Sequence, residues 1–386
     1  MADPRFQFFI SCSPGVESLL SAECRDLKLP SARQHPVETS GTGEEAGGIL
    51  VEGGMLDIYR SNLYLRTASR VSLRMGEFHA VSFPELRKKA ARLEWGKFVQ
   101  PGQAVNLSVT CHKSRLYHSN AVAERVLGAI NDHFTGQKAG SKPCVAGKQG
   151  QLVLVRLVND LCTISMDSSG ELLHRRGYRL ETAKAPLRET LAAAMLLASG
   201  WDGSAALIDP FCGSGTIPIE AALLAARIPP GINREFAFMQ WPGFKRVTWQ
   251  EMLSTARKEI NPLNTSIFGY DRDAGAIKMA SANAARAGQM TAITFSQQPI
   301  SVLAPVNSKG WIITNPPYGM RISSGKDLRD LYARFGELLR VNFKGWHAGI
   351  LSSDPRLSGN LGLPAPHSEW RFVNGGIPVK FQLYTL

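Results

Sequence analysis

Residues 205–216 read Ala-Ala-Leu-Ile-Asp-Pro-Phe-Cys-Gly-Ser-Gly-Thr, which predicts a buried strand, a glycine-rich turn and the start of a helix. Gly213 and Gly215 let a ligand approach the backbone closely, because neither carries a Cβ atom. A phosphate-binding loop would end in Gly-Lys-Ser or Gly-Lys-Thr, which is missing here. A dinucleotide-binding turn would carry a third glycine, where this sequence has Pro218. The stretch therefore predicts a different kind of ligand site.

An acid, Asp209, ends the predicted strand. Ligands of open α/β sheets bind at the carboxyl ends of the strands, so this carboxylate would face the ligand. It would repel a pyrophosphate, but it would attract a ligand that carries an amine and a positively charged sulfonium. S-adenosylmethionine has both groups. Because Gly-x-Gly turns also occur elsewhere in α/β proteins, the prediction of this cofactor depends on the motifs that follow.

Strands and helices alternate through the second half of the chain, which is the pattern of a doubly wound, mostly parallel sheet. The predicted strands cover 205–209, 266–270, 291–296, 310–314 and 346–352, and the predicted helices cover 216–227, 273–287 and 327–341. Two further strands, 369–373 and 377–384, would end the sheet as an antiparallel hairpin. We therefore expect a Rossmann-like α/β domain.

The second of these strands also ends in an acid, in the sequence Phe268-Gly269-Tyr270-Asp271. A carboxylate at this place can accept hydrogen bonds from both hydroxyls of a ribose. Asp273 fits better as the N-cap of the next helix, because its side chain can accept from the first-turn amides. We predict that Asp271 binds the ribose.

The fourth strand runs into Asn315-Pro316-Pro317-Tyr318-Gly319. The prolines fix the backbone and lack amide donors, so the Asn315 side-chain oxygen and the Pro316 carbonyl could both accept from one amino group. Tyr318 offers a flat face to a nucleobase. An aromatic amine is a weak nucleophile, and two acceptors on its hydrogens would direct its lone pair at the sulfonium methyl. We predict that residues 315–318 form the catalytic motif, and Arg321 could hold a nearby phosphate.

The chain carries 44 Lys and Arg against 32 Asp and Glu, a formal net charge of +12. Residues 86–148 hold eleven basic residues against three acids, which is two thirds of this excess. Such a cluster attracts a phosphate backbone, although a solvated basic face explains it equally well when taken alone. The residues that we expect to contact RNA are Lys88, Lys89, Arg92, Lys113, Arg115 and Arg125.

Two small α/β units are predicted before the Rossmann-like part. The first unit has the order of elements of a ferredoxin-like module. Its predicted elements are a strand at 5–11, a helix from residue 16, strands near 34–39 and 48–52, a helix at 55–65 and a strand at 69–74. The second unit has a basic helix at 83–95, a strand at 104–110, a helix through Val122–Phe134, and strands 151–158 and 161–167 joined at Asn159-Asp160.

With these motifs in order, the chain resembles the THUMP-domain-containing RNA methyltransferases of the RlmL type, a UPF0020-like family that methylates N2 of a guanine in large-subunit ribosomal RNA. The segments that carry the resemblance are 114–134, 173–179, 185–192, 209–216 and 315–319. The resemblance implies a ferredoxin-like module at 1–75, a THUMP RNA-binding domain at 76–168, a linker helix region at 169–203 and a Rossmann-like class I methyltransferase domain at 204–386.

Cofactor contacts are predicted from Arg188, Thr190, Asp209, Phe211, Gly213, Gly215, Asp271 and Gln298. Arg188 and Thr190 would lie at the methionine end, and Glu220 is either a cofactor contact or a solvated helix acid. Relatives usually carry an acid after the third strand that contacts the adenine amine, but this sequence has Pro299 there. Gln297 or Gln298 would then supply a side-chain carbonyl in its place.

Other features narrow the protein class. No apolar run approaches the ~18 residues of a membrane span, and the start of the chain does not resemble a signal peptide. The six cysteines form no CxxC and have no metal-like spacing, so we expect reduced thiols, a cytoplasmic protein and no metal. The alternatives that the sequence leaves open are a transfer-RNA guanine methylase, an adenine-N6 nucleic-acid methylase, and an RNA-binding assembly factor with a relic methyltransferase fold.

Overall fold

A computed structural model describes residues 5–30, 33–34, 47–137, 142–180, 187–318 and 325–386. The elements of the first half are β1 (Phe6–Cys12), α1 (Glu17–Asp26), β2 (Arg33–Gln34), β3 (Gly48–Gly53), α2 (Met55–Tyr64), β4 (Ala68–His79), α3 (Phe83–Ala90), β5 (Ala104–His112), α4 (Ser119–Gln137), β6 (Val145–Ala146), β7 (Gln151–Val158) and β8 (Leu161–Asp167). Residues 35–39 of the predicted second strand lie outside the described ranges.

Thirteen further α-helices and strands lie in the described part of the second half. They are α5 (Glu189–Ser199), β9 (Leu207–Asp209), α6 (Thr216–Ala225), α7 (Arg246–Lys258), β10 (Ile267–Asp271), α8 (Ala274–Arg286), β11 (Ile293–Gln297), β12 (Trp311–Thr314), α9 (Gly325–Asn342), β13 (His347–Ser352), α10 (Pro355–Asn360), β14 (Ser368–Asn374) and β15 (Ile377–Thr385). Every strand of the predicted doubly wound sheet is present, within two residues of its predicted bounds at either end.

The second half forms a seven-stranded sheet in the order β11-β10-β9-β12-β13-β15-β14. Strands β9 to β13 run parallel, and β15 pairs antiparallel with both β13 and β14. This confirms the predicted Rossmann-like sheet with its antiparallel C-terminal hairpin. Strand order reverses between β9 and β12, which is where such sheets leave a crevice for a ligand.

The first half forms one continuous eight-stranded sheet in the order β2-β3-β1-β4-β8-β7-β5-β6. Strand β4 pairs antiparallel with β1 along its first part and with β8 over most of its length. Strand β4 thus runs without a break through residues 75 and 76, so the predicted boundary between the first two modules falls inside a strand. The β7–β8 turn at Asn159-Asp160 has positive φ angles of 50° and 65°, as a tight two-residue hairpin turn requires.

The basic helix is shorter than predicted, because α3 ends at Ala90 instead of residue 95. Buried Trp95 explains the end of the helix. Its indole N–H donates to the Ala90 carbonyl at 2.8 Å, so this carbonyl does not need the amide of a continuing helix. Residues 95–97 then form a turn of 3₁₀-helix.

Residues 229–249, which we call the strap, join the two halves. The Phe238 amide donates to the Ser168 carbonyl at 3.1 Å, and the Trp241 indole donates to Gln151 at 2.9 Å. Phe238 also stacks on Tyr59 of α2, with ring centroids 4.5 Å apart. The strap thus buries aromatic side chains against the first half. The sequence did not predict this, nor helix α7, which begins within the strap.

Within the described ranges, no helix is both long enough and apolar enough to cross a membrane. All six cysteines are free thiols.

Candidate active site

The main pocket, about 800 Å³ in volume, opens at the carboxyl ends of β9, β10 and β12. Its wall combines the loops that follow these strands with one side of α9. Among the residues predicted for catalysis or cofactor binding, those that line it are Asp209, Phe211, Gly213, Asp271, Gln298, Asn315, Pro316, Pro317 and Tyr318. Residues far apart in the sequence therefore meet at the predicted edge of the sheet.

The glycine loop, residues 210–215, takes its shape from two positive φ angles. These are 51° at Gly213 and 83° at Gly215, a region that favours glycine. Gly213 lines the pocket, whereas Gly215 is the N-cap of α6 and packs against α8. A Cβ atom on Gly215 would come within 3.0 Å of the Ala280 Cβ atom. Gly215 therefore shapes the loop and does not line the pocket.

Asp209 is buried, with 1% of its surface exposed. Its Oδ1 accepts from the Thr314 hydroxyl at 2.6 Å and from the Phe211 amide at 3.1 Å. The pKa of this carboxyl is raised from 3.8 to about 7, chiefly because the group is buried; the two hydrogen bonds oppose this rise, and the charge of Asp271 adds to it. A cation in the pocket would favour its ionised form.

Asp271 connects β10 to the glycine loop. Its Oδ2 accepts from the Gly213 amide at 3.0 Å, and its Oδ1 accepts from the Asp273 amide at 3.0 Å. Each oxygen keeps a second lone pair that could accept from a ribose hydroxyl. Asp273 is the N-cap of α8, as predicted, and accepts from the Gly275 amide at 2.7 Å.

The two adjacent glutamines face different surroundings. Gln298 lines the pocket, and its backbone amide donates to the Asp271 carbonyl at 2.9 Å. The side chain of Gln297 instead donates to the Arg272 carbonyl at 3.1 Å. Of the two candidates for the adenine contact, the geometry favours Gln298, beside Pro299.

Asn315 lines the same pocket as Asp209. Its Oδ1 is buried and accepts no hydrogen bond from the described residues. Tyr318 is 9% exposed, and its hydroxyl accepts from the Asn374 side chain of β14 at 3.3 Å. An unsatisfied buried acceptor in a pocket wall is what an amino-group ligand needs. Gly319 and Arg321, which follow the motif, lie outside the described residues.

Three further sequence-derived candidates lie away from the pocket wall. Arg188 is exposed at the N-cap of α5, and Thr190 is buried in the first turn, while Leu187 before them does line the pocket. Glu220 is neither solvated nor at the pocket. It is buried, and it accepts from the Tyr178 hydroxyl at 3.0 Å. Helix rotation put the Thr190 and Glu220 side chains into the core, which spacing alone could not reveal.

The sequence reasoning missed the contribution of α9 to the pocket. Leu331, Arg334 and Leu338 line it, at spacings of three and four residues along one face of the helix. This face was visible as a helical period, but nothing in the sequence indicated which way it turned. Among the described residues, no cluster of three or more His, Cys, Asp or Glu could hold a metal ion.

The predicted RNA-contacting residues lie on α3 and just after its end, on the loop between β5 and α4, and on α4. Lys88, Arg92 and Lys113 are exposed. Lys89 donates to Glu85 at 2.7 Å and to the His79 carbonyl at 2.9 Å, so its charge is partly neutralised. Two arginines complete the set: Arg125 lies over the Phe83 ring at 5.8 Å, and the backbone amide of Arg115 donates to Asp160 at 2.7 Å.

A parallel sheet that ends in an antiparallel hairpin, with a pocket between an acidic strand end and an Asn-Pro-Pro-Tyr motif, has the fold and the site of a Rossmann-like methyltransferase. The chain belongs to the RMKL-like methyltransferase family, UPF0020, whose methyltransferase domain matches residues 176–374. A second family, the RlmL ferredoxin-like domain, matches residues 7–72. The resemblance seen in the sequence is thus confirmed.

The chain is similar to proteins called ribosomal RNA large subunit methyltransferase K/L. It is 34% identical to the one from Legionella pneumophila strain Corby over 99% of this chain and 53% of that protein. It is 35% identical to the one from Syntrophotalea carbinolica over 98% of this chain and 53% of that protein. The chain therefore spans about half the length of these curated relatives.

Two solved structures agree over nearly their whole length. One is SMU.472, assigned as a methyltransferase and complexed with SAH, at 28% identity and a TM-score of 0.88, with 100% of this chain and 99% of that chain covered. The other, from Listeria monocytogenes, was predicted to be an N6-adenine-specific DNA methylase. It shows 30% identity and a TM-score of 0.88, with 99% and 96% covered. The bound SAH in the first relative agrees with the predicted cofactor.

Proposed function

We propose that this protein transfers the methyl group of S-adenosylmethionine to the exocyclic N2 amine of a guanine in large-subunit (23S) ribosomal RNA. The observation that carries the proposal is that Asn315, which lines the pocket together with Asp209, has a buried Oδ1 with no donor among the described residues. The relatives named as large-subunit ribosomal RNA methyltransferases support the substrate class. Ribosomal RNA as substrate also implies a cytoplasmic protein.

The pocket residues fit S-adenosylmethionine, which supplies a methyl group on a positively charged sulfur when bound. Asp209 would attract the ammonium and sulfonium charges, because its carboxylate lies at the end of β9 in a buried wall. Asp271 would accept from the ribose hydroxyls, and Gln298 would contact the adenine. Phe211 would close the wall beside them, where its ring meets Phe335 edge to face at 5.3 Å.

The catalytic motif would act on the amine of the target base. Asn315 Oδ1 and the Pro316 carbonyl would each accept one N–H of the amine, which fixes the direction of the nitrogen lone pair. These acceptors would also stabilise the positive charge that develops on the nitrogen as the new bond forms. Tyr318, held by Asn374 through its hydroxyl, would stack on the base and fix its plane.

The first half of the chain would bind the RNA around the target. Lys113 and Arg115 share a loop with Tyr117, whose ring is 68% exposed and 4.1 Å from that of His118. Cations beside an exposed aromatic ring suit unpaired RNA, because bases stack on the ring while phosphates meet the charges. A base must leave its stack to enter the pocket, which is easiest in a loop or single strand.

The test is Asn315→Ala, assayed on large-subunit ribosomal RNA by mass spectrometry of methylated nucleosides. We expect the affinity for S-adenosylmethionine to stay within a few-fold, and turnover to fall by roughly 10²–10³-fold, because one transition-state contact is lost. An equal loss of both would make Asn315 a structural residue.

The wild-type product distinguishes the substrates. N2-methylguanine in 23S RNA supports the proposal. If this product is found only in transfer RNA, or if the product is N6-methyladenine, the substrate is a different one from that proposed. A protein that binds RNA but fails to bind S-adenosylmethionine at millimolar concentration in calorimetry would be the assembly factor instead.

A further inference from the structure

Three contacts from the β10–α8 unit hold the glycine loop in place. The Cys212 amide donates to the Tyr270 carbonyl at 2.9 Å, and the Gly213 amide donates to Asp271 at 3.0 Å. The third contact comes from a helix face: the Asn283 side-chain amide donates to the Ser214 carbonyl at 3.0 Å. Asn283 is fully buried, and Ser214 lines the pocket.

Arg286 fixes the orientation of the Asn283 side chain. Its guanidinium donates through Nη2 to Asn283 Oδ1 and through Nε to the Tyr178 carbonyl at 2.8 Å. A flipped Asn283 amide would place its N–H groups against this cation, so only one orientation satisfies both neighbours. Asn283 Nδ2 is therefore directed at the Ser214 carbonyl.

The linker residue Tyr178 ties this arrangement to the other side of the loop. Its carbonyl accepts a hydrogen bond from Arg286 of α8, while its hydroxyl donates to Glu220 of α6 at 3.0 Å. Helix α6 begins at the end of the glycine loop. The linker thus contacts the helix that follows the loop as well as the helix that holds it.

We propose that Asn283 is a positioning residue that sets the glycine loop in its cofactor-binding conformation, with Arg286 orienting its side chain. This inference rests on the proposed function. Because of its two positive φ angles, the loop does not form the regular backbone hydrogen bonds of a helix or strand, so the Ser214 carbonyl depends on a side-chain donor. Loss of this donor leaves a buried acceptor unpaired and lets the loop shift, which moves the pocket wall.

The experiment compares the cofactor affinity of the full chain and its variants by calorimetry with S-adenosylhomocysteine. Asn283→Ala removes the side-chain N–H donor. Asn283→Asp also removes this donor, but it keeps the size of the side chain and its contact with Arg286. We expect both to bind about tenfold more weakly or worse, the change that corresponds to an unpaired buried acceptor. Turnover at saturating S-adenosylmethionine should stay within a few-fold of wild type, because the methyl-transfer motif is unchanged.

Asn62 provides the matched control, because it is an equally buried asparagine whose side chain donates to a backbone carbonyl, that of Ile58, at 2.9 Å. It lies on α2 in the first half, so Asn62→Ala should lower the melting temperature but leave the affinity for S-adenosylhomocysteine within twofold. Equal weakening in Asn62→Ala and Asn283→Ala would overturn the inference, as would wild-type affinity in both Asn283 variants.

A second variant covers the case in which the Asn283 variants do not fold. Arg286 lies at the surface, so Arg286→Ala should fold, and we expect it to weaken the binding of S-adenosylhomocysteine about threefold or more as Asn283 loses its orientation. Unchanged affinity in Arg286→Ala would remove the orienting role. If wild type itself binds no S-adenosylhomocysteine, the proposed function fails and not this inference alone.

Discussion

At the scale of single residues, the buried carboxyl of Asp209 makes cofactor binding depend on pH. Its pKa is raised to about 7, chiefly by burial, so the carboxyl is mostly protonated at pH 6 when no cation lies beside it. The positive charge of S-adenosylmethionine requires the carboxylate, and a proton must leave on binding. We therefore expect the affinity to rise with pH between 6 and 8, with about a tenfold loss per pH unit below 7.

Calorimetry at pH 6, 7 and 8 measures this dependence, and Asp209→Asn should bind weakly with no slope. A slope that persists in Asp209→Asn would assign the titration to another group.

The stability of the fold depends on pH in the opposite direction from the cofactor affinity. Because the folded pKa lies above the ordinary 3.8, the folded protein holds a proton that the unfolded chain has lost, so Asp209 lowers the free energy of unfolding as the pH rises from about 4 to 7.

Residues that directly follow strands were predictable, and residues on helix faces were not. Asp209, Asp271 and Asn315 each end or follow a parallel strand, and parallel strands bring their carboxyl ends to one edge. Asn283 and Arg334 lie within helices whose rotation about their axes depends on the packing of the whole domain. The catalytic and binding roles of all these residues remain predictions until variants are assayed.

At the scale of elements, α3 is the helix through which we expect the protein to meet RNA phosphates. Lys88 is exposed on this helix and Arg92 is exposed two residues beyond its end, whereas Lys89 is engaged by Glu85. Replacing Lys88 and Arg92 with alanine should weaken RNA binding and reduce the slope of log affinity against log salt by roughly 0.7–0.9 per lost phosphate contact. Filter binding of 23S RNA fragments at several salt concentrations measures the slope.

The control for this prediction removes the same charge elsewhere. Arg257 and Lys258 are exposed at the end of α7 in the second half, and alanine at both positions should leave the slope near wild type. If both double variants flatten the slope equally, only net charge matters and α3 has no special part in binding.

The elements themselves show where local sequence decides structure. Strands β7 and β8 match their predicted bounds, because two short runs rich in apolar residues on either side of the Asn159-Asp160 turn specify a hairpin locally. The end of α3 could not be predicted in the same way, since a side chain five residues away, Trp95, takes the carbonyl of Ala90. Strand β4 was predicted too short, because its second part depends on pairing with the distant β8.

At the scale of the whole molecule, the two halves share a buried junction. Arg66 donates to the carbonyls of Leu223 at 3.2 Å and Ile228 at 2.8 Å, at and just beyond the end of α6. Arg176 then donates to the Arg66 carbonyl and pairs with Glu220 at 3.6 Å. Because buried charges are costly when they lose a partner, separating the halves would leave several groups unsatisfied.

The strap adds an apolar contribution to this junction, centred on Phe238. Its fully buried ring stacks on Tyr59 and meets Trp249 at 5.3 Å, so Phe238→Ala should lower the free energy of unfolding by about 3–5 kcal/mol. Since the ring packs on residues of both halves, we expect one unfolding transition and a similar loss of hydrogen-exchange protection in β7 and β12. Mass spectrometry of exchanged peptides tests this directly, and loss of protection in β12 alone would mean that the halves unfold independently.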